Sequence, residues 1–184
     1  MTAARPAIPF ATEALTRRTN FRKAVLGPWD PRVQQAWLYN LGATAAQQDF
    51  ALHHTTLVVN HHHTTLTPRH ANIATILHQL HQPMSCALNT LLQQRGFDAM
   101  DNVWEGRQPH RMRLVDVEAT ISQLIYERVQ AVAAGLVDRP EDMPGFVFDW
   151  SMWRVGRTVK VDAPNAYFDT RYRPESVELD FVPE

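Results

Sequence analysis

Thr55-Thr56-Leu57-Val58-Val59-Asn60-His61-His62-His63-Thr64 is the stretch around which the chain is organised. The run to Val59 is short, apolar and β-branched, which suits a strand better than a helix. Side chains alternate across a strand, so His61 and His63 share a face and His62 points the other way. Two imidazoles on one face of a rigid strand form half of a metal site. His62 reads as a packing or solvent residue. The chain has nine histidines, and pairs such as His53-His54 carry no comparable signal. Histidine-rich tracts bind metals, but they also occur as plain surface.

A second stretch, Leu124-Ile125-Tyr126-Glu127-Arg128-Val129-Gln130-Ala131-Val132-Ala133-Ala134-Gly135-Leu136-Val137, adds to the first. Val117, Ile121, Leu124, Ile125, Val132 and Leu136 recur with helical spacing. Asp116 suits an N-cap and Gly135 a C-terminal stop. Tyr126 and Gln130 are four apart and so lie on one helix face, a turn from each other. A phenol beside an amide suits a nucleophile next to a metal ligand. A tyrosine on an amphipathic helix is more often simply core.

Together the two stretches resemble the single-tyrosine transposases that carry a His-hydrophobic-His motif, and among them the REP-associated tyrosine transposases. Asn60-His61-His62-His63 is similar to the histidine motif, with His62 where the family more often has an apolar residue. Tyr126 to Val137 is similar to the tyrosine helix, with Gln130-Ala131 in place of the common Asn-Pro. The resemblance runs from about Leu15 to the C-terminus and includes Ala163 to Asp169 and Val177 to Pro183. It implies an α+β, ferredoxin-like domain with an antiparallel sheet and packed helices. It also implies that Tyr126 is the nucleophile and that His61, His63 and Gln130 hold a divalent metal, Mg²⁺ or Mn²⁺. The substrate implied is single-stranded DNA bearing hairpins. It would be cut through a 5′-phosphotyrosine link with release of a 3′-hydroxyl, and then rejoined by a monomer or homodimer. The alternatives are a domesticated relative that holds DNA hairpins without cutting, or an unrelated histidine-rich metal protein. A relaxase or replication initiator ranks lower, since those are usually longer.

Composition limits the remaining choices. A chain of 184 residues with 45% hydrophobic content suits one domain with a real core. The net charge of −1 argues against bulk attraction to DNA. Local basic stripes remain compatible with a single-strand groove. Arg17, Arg18, Arg22 and Lys23 form one, and Arg107, Arg111 and Arg113, with His110, form another; these arginines and the lysine are the DNA-binding candidates. Arg154, Arg157 and Lys160 form a third. A lone cysteine, Cys86, excludes an intrachain disulfide and reads as a buried packing residue. No signal peptide or membrane-length apolar run occurs, so a soluble cytoplasmic protein with no membrane partner is expected.

In chain order, residues 1–13 read as a flexible arm. Residues 14–184 read as a single domain with a C-terminal tail from about residue 140. A strand is expected over Leu15 to Leu26. A helix should follow from Pro31, capped by Asp30, to about Gln48. Strands over Phe50 to Val59 and His61 to Leu66 come next. A long helix from His70 to about Arg95 should kink or split at Pro83, with His70, His78 and His81 as surface or stacking residues. Arg111 to Val115 is a strand leading into the tyrosine helix, and Thr158 to Val161 can pair with Val177 to Val182. The aromatics Trp150, Trp153, Tyr167 and Tyr172 lie near Arg154, Arg157, Arg171 and Arg173. They either clamp unpaired bases or anchor the tail to the core.

Overall fold

Pro31 behind Asp30 starts the first helix as local chemistry dictates: the Asp30 carboxylate accepts the Arg32 N–H at 2.9 Å. The structure, a computed structural model, describes residues 6–154, 157–164 and 173–183. Its elements run β1 (Glu13–Arg18), α1 (Pro31–Gln48), β2 (Phe50–Leu57), β3 (His61–Pro68), α2 (Ile73–Gln94) and β4 (His110–Arg113). α3 (Val117–Arg128), the one-turn α4 (Gln130–Ala133), β5 (Thr158–Asp162) and β6 (Ser176–Asp180) follow. The sheet order is β2-β3-β1-β4, with each neighbouring pair antiparallel. β1 and β2 are therefore parallel and joined through α1, and β3 and β4 are joined through α2. This is the β-α-β-β-α-β, ferredoxin-like arrangement.

Strand alternation divides the labour between the two faces of the sheet. Leu15, His62, Thr64 and Leu66 face α1 and α2. There Trp37 donates its indole N–H to Thr55 Oγ1 at 3.0 Å and packs 4.5 Å from the His62 ring. The core lies on this side, around Trp37, Leu41, Ile76, Leu80, Met84 and Leu88. Thr16, His61, His63 and Thr65 face the other way, toward α3. α1 is covered on its outer side by the β5–β6 hairpin, whose pairing follows the sequence expectation. Gly42 makes this close approach possible, because a Cβ there would lie 2.7 Å from Val177 Cγ2. Tyr39 is buried in the same contact and donates its hydroxyl to the Pro174 carbonyl at 2.5 Å.

Several expectations need correction. β1 stops at Arg18, well short of Leu26, because Thr19 turns the chain. Its hydroxyl donates to the Lys23 carbonyl at 2.7 Å and its N–H to the Asn60 carbonyl at 2.9 Å. Phe21 and Arg22 then take positive φ, 53° each, a conformation costing a non-glycine residue about 1–2 kcal/mol. α2 runs through Pro83 as one helix. Proline removes the N–H that would reach the Gln79 carbonyl. The buried Asn40 amide on α1 donates there instead, at 3.2 Å, and to the Leu80 carbonyl at 2.7 Å. His81 is buried, with its Nε2 2.9 Å from His62 Nε2. Cys86 is exposed on the outer side of α2.

The tail packs on the domain where it is described. Phe148 is buried among Trp150, Trp153 and Phe181, and Trp153 donates its indole N–H to the His53 carbonyl at 2.9 Å. Anchoring therefore accounts for Trp153. Tyr167, Arg171, Tyr172 and the segment 165–169 lie outside the described residues, as does the start of the N-terminal arm. The strand edge of β2 meets Phe181 in a parallel bridge, and the Val182 N–H donates to the Leu52 carbonyl at 2.9 Å. Among the described residues no helix is long and apolar enough to cross a membrane.

Candidate active site

Three residues, Val58, Val59 and Asn60, link β2 to β3, and the Val58 N–H donates to the His61 carbonyl at 2.8 Å to close the turn. The turn sends His61 and His63 to the same face, with ring centroids 4.9 Å apart. Each imidazole is oriented through Nδ1. His61 Nδ1–H donates to Asn60 Oδ1 at 2.8 Å, and His63 Nδ1 lies 2.9 Å from Thr16 Oγ1 on β1. In the tautomer that donates from Nδ1 to Thr16, the His63 Nε2 lone pair is free. That atom is buried and has no partner. Burial holds His63 proton-free down to about 4, with His61, His54 and Arg18 pushing the same way and Glu127 opposing. Burial lowers His61 too, aided by Arg18, while a side-chain hydrogen bond with Gln130 opposes the shift. Both imidazoles are thus neutral near pH 7, the form that ligates metals.

α3 brings the second half of the site. Asp116 caps it, accepting the Ala119 N–H at 2.7 Å. The helical ladder bends at Val129 (φ −97°), and Gln130 opens α4. The Val129 N–H still reaches the Ile125 carbonyl at 3.0 Å, so Gln130 stays one turn beyond Tyr126. Gln130 meets His61. The Tyr126 ring stands edge-on to His63, with centroids 5.8 Å apart and an interplanar angle of 89°. Tyr126 is half exposed, so the phenol is open to a large substrate. The four residues expected to form the site therefore come together.

The apolar stripe read on this helix is only partly a core stripe. Leu124 is buried, but Val117, Ile121 and Ile125 are exposed. α3 lies over the polar face of the sheet, so its buried positions are Thr120, Leu124 and Glu127. Glu127 went unnoticed in the sequence and proves central. Its carboxylate accepts Thr65 Oγ1 at 2.9 and 3.0 Å and Gln123 Nε2 at 2.9 Å, and His54 Nδ1 lies 2.8 Å away. The residue next to Tyr126 is thereby pinned to β2 and β3. The spacing Thr120, Leu124, Glu127, Ala131 is the signal that marks this buried phase.

The donor set fits a divalent metal. His61 and His63 present nitrogen donors and Gln130 an amide, a set that leaves room for oxygen atoms of a substrate. No group of three or more His, Cys, Asp or Glu able to hold a metal occurs among the described residues. The basic candidates are spread out. Arg18 pairs with His61 across the β1–β3 register and is exposed beside the histidines. Arg22, Lys23 and Arg107 are exposed on loops. Arg17 turns to the opposite face and lies 5.6 Å over the Trp104 ring. Arg111 grips the buried Glu13 carboxylate at 2.6 and 3.0 Å, and Arg113 donates to the Pro6 carbonyl at 3.0 Å.

A REP-associated tyrosine transposase, solved bound to a REP hairpin, superposes on the chain with a TM-score of 0.62. The chain has the fold of that transposase. The match is 15% identical and covers 79% of this chain and 81% of that one. A candidate transposase from Deinococcus radiodurans matches at 20% identity and a TM-score of 0.44, over 74% of this chain and 98% of that one. No family model matches the sequence, and no curated protein does. At this sequence distance the likeness is one of fold, in the arrangement of elements.

Proposed function

We propose that the chain is a single-strand DNA transposase or nickase that uses Tyr126 as its nucleophile. The reading is carried by the Tyr126 ring set edge-on to His63 while Gln130, a turn further on, lies beside His61. The likeness in fold to a hairpin-bound transposase supports it. The Tyr126 hydroxyl gives up its proton and its oxygen forms a bond to phosphorus in line with the departing 3′-oxygen. The P–O3′ bond breaks, the 3′-oxygen takes up a proton, and a 5′-phosphotyrosine remains. The 3′-hydroxyl of another strand can reverse the step and release Tyr126, with no nucleotide cofactor needed. A Mg²⁺ or Mn²⁺ ion held by His61, His63 and Gln130 would supply Lewis-acid polarisation of a phosphate oxygen. His61 and His63 stay neutral to ligate, Thr16 and Asn60 fix their orientation, and Arg18 sets a positive charge where the phosphate arrives. Glu127 holds the helix so that the phenol stays over His63. The substrate is single-stranded DNA with hairpins, handled by a monomer or homodimer in the cytoplasm.

The test incubates wild type and Tyr126→Phe with Mn²⁺ and a labelled hairpin-bearing strand, followed by denaturing electrophoresis. Wild type should form a covalent adduct. Tyr126→Phe should form none and still bind the strand, because the phenol makes a bond rather than a docking contact. An adduct in Tyr126→Phe would move the nucleophile elsewhere. Binding without any adduct in wild type would replace the reading with that of a non-cutting hairpin-binding protein.

A further inference from the structure

The turn after β1 holds an arrangement that the cutting chemistry does not use. Phe21 is 84% exposed, the most exposed large apolar residue among those described. Its backbone sits in the left-handed region (φ 53°, ψ 22°), and Arg22 beside it does the same. A bulky residue rarely adopts this conformation, and glycine would adopt it without strain. Strained residues persist where the surroundings over-determine them and where the strain serves a site. Here the turn is fixed on all sides. The Asn20 N–H donates to the Val103 carbonyl at 2.8 Å, the Arg22 N–H to the Thr19 carbonyl at 3.0 Å, and Thr19 Oγ1 to the Lys23 carbonyl.

One side chain ties this turn to the histidines. Asn60 Nδ2 donates to the Arg22 carbonyl at 3.3 Å, while Asn60 Oδ1 accepts from His61 Nδ1 at 2.8 Å. The Phe21 ring is therefore displayed by a rigid turn that shares an amide with the candidate metal ligand. Arg18, Arg22 and Lys23 lie within three positions of it in the chain, all exposed and without an ion-pair partner among the described residues. An exposed ring gains nothing for the fold. An exposed ring flanked by three cations suits a ligand that is aromatic and anionic at once, and a nucleotide with an unpaired base is both.

We propose that Phe21 is a stacking platform for an unpaired nucleobase of the DNA strand that lies across His61 and His63, with Arg18, Arg22 and Lys23 gripping the flanking phosphates. The proposal rests on the single-strand reading above and adds a base-binding subsite to it. Stacking is tolerant of sequence, since every base has a π-face. A duplex offers no free face to the ring, so Phe21 discriminates single strands from duplex.

The test uses wild type, Phe21→Gly and Phe21→Trp with a metal chelator present, so that no strand is cut. The probes are oligo(dT), a duplex of equal length, and an oligonucleotide with 2-aminopurine placed at successive positions. Phe21→Gly should weaken oligo(dT) binding about tenfold and leave duplex binding unchanged. It should also unfold at higher denaturant, because it relieves the backbone, which separates lost stacking from lost fold. Phe21→Trp should restore binding. Wild type and Phe21→Trp should quench 2-aminopurine at one position, and Phe21→Gly should not. Oligo(dT) binding by Phe21→Gly within about twofold of wild type, an equal loss on duplex, or no quenching in wild type would each overturn the proposal. A missing Tyr126 adduct bears on the cutting reading and does not enter these measurements.

Discussion

His62 and His81 lie back to back beneath the site, Nε2 to Nε2 at 2.9 Å, packed between Trp37 and Trp104. Both are buried, and Arg17 adds its charge, so neither takes a proton readily in the folded chain. Burial first, then Arg17, pushes His81 down to about 3 from an ordinary 6.5. The unfolded chain therefore binds protons that the folded chain does not, so stability is full above the ordinary value and falls as the pH drops through it. The loss is about 1.4 kcal/mol for each pH unit below 6.5 per histidine. At about pH 5 the His81 share alone is about 2 kcal/mol, and His62 adds to it in the same direction. Replacing both rings by His62→Leu/His81→Leu removes the two titrations while keeping an apolar contact. Urea unfolding at about pH 7.5 and about pH 5 should show wild type losing at least about 2 kcal/mol more than the double variant. Few carboxylates take up protons in that window, so the difference isolates the pair. A double variant that loses stability with falling pH as steeply as wild type would refute the reasoning.

Calorimetric titration of Mn²⁺ should give weak binding to wild type and none to His61→Ala/His63→Ala; equal heats would remove the metal assignment. Glu127→Ala should lower stability by about 3 kcal/mol in urea, since it strands buried Thr65 and His54 groups; a loss below about 1 kcal/mol would mean that water replaces the carboxylate. Asn40→Leu should cost about 2 kcal/mol by leaving the Gln79 carbonyl bare, and Pro83→Ala should recover part of that loss; strictly additive effects in the double variant would deny the compensation.

The strand pattern and caps were legible because they depend on near neighbours. Asp30-Pro31, Asp116 and the alternation through His61 and His63 each state a local rule that the fold obeys. The convergence of Tyr126 and Gln130 on the two histidines followed only from the family resemblance, because no local signal says which strand a helix will cover. What the sequence does not announce is long-range. The Asn40 amide repairs a proline more than forty positions later, and nothing beside Pro83 announces it. His81 looked like a surface residue because a polar ring at helical spacing reads as exposed until its partner, His62, is placed opposite it. Glu127 is hidden for the same reason: a carboxylate in a helix reads as solvated unless the facing strand is known to be threonine and histidine.

The bridge between Leu52 and Phe181 gives the sheet two unlike ends. At β2 the backbone groups of Leu52 and His53 are taken by Val182 and Trp153, whereas β4 pairs with β1 on one side only. An open strand edge invites pairing with another copy, and the Val182 and Trp153 contacts block that pairing at the middle of β2. The segment around Phe181 and Val182 thus acts as a guard on the β2 edge, and trimming it would bare the Leu52 carbonyl for pairing with another strand.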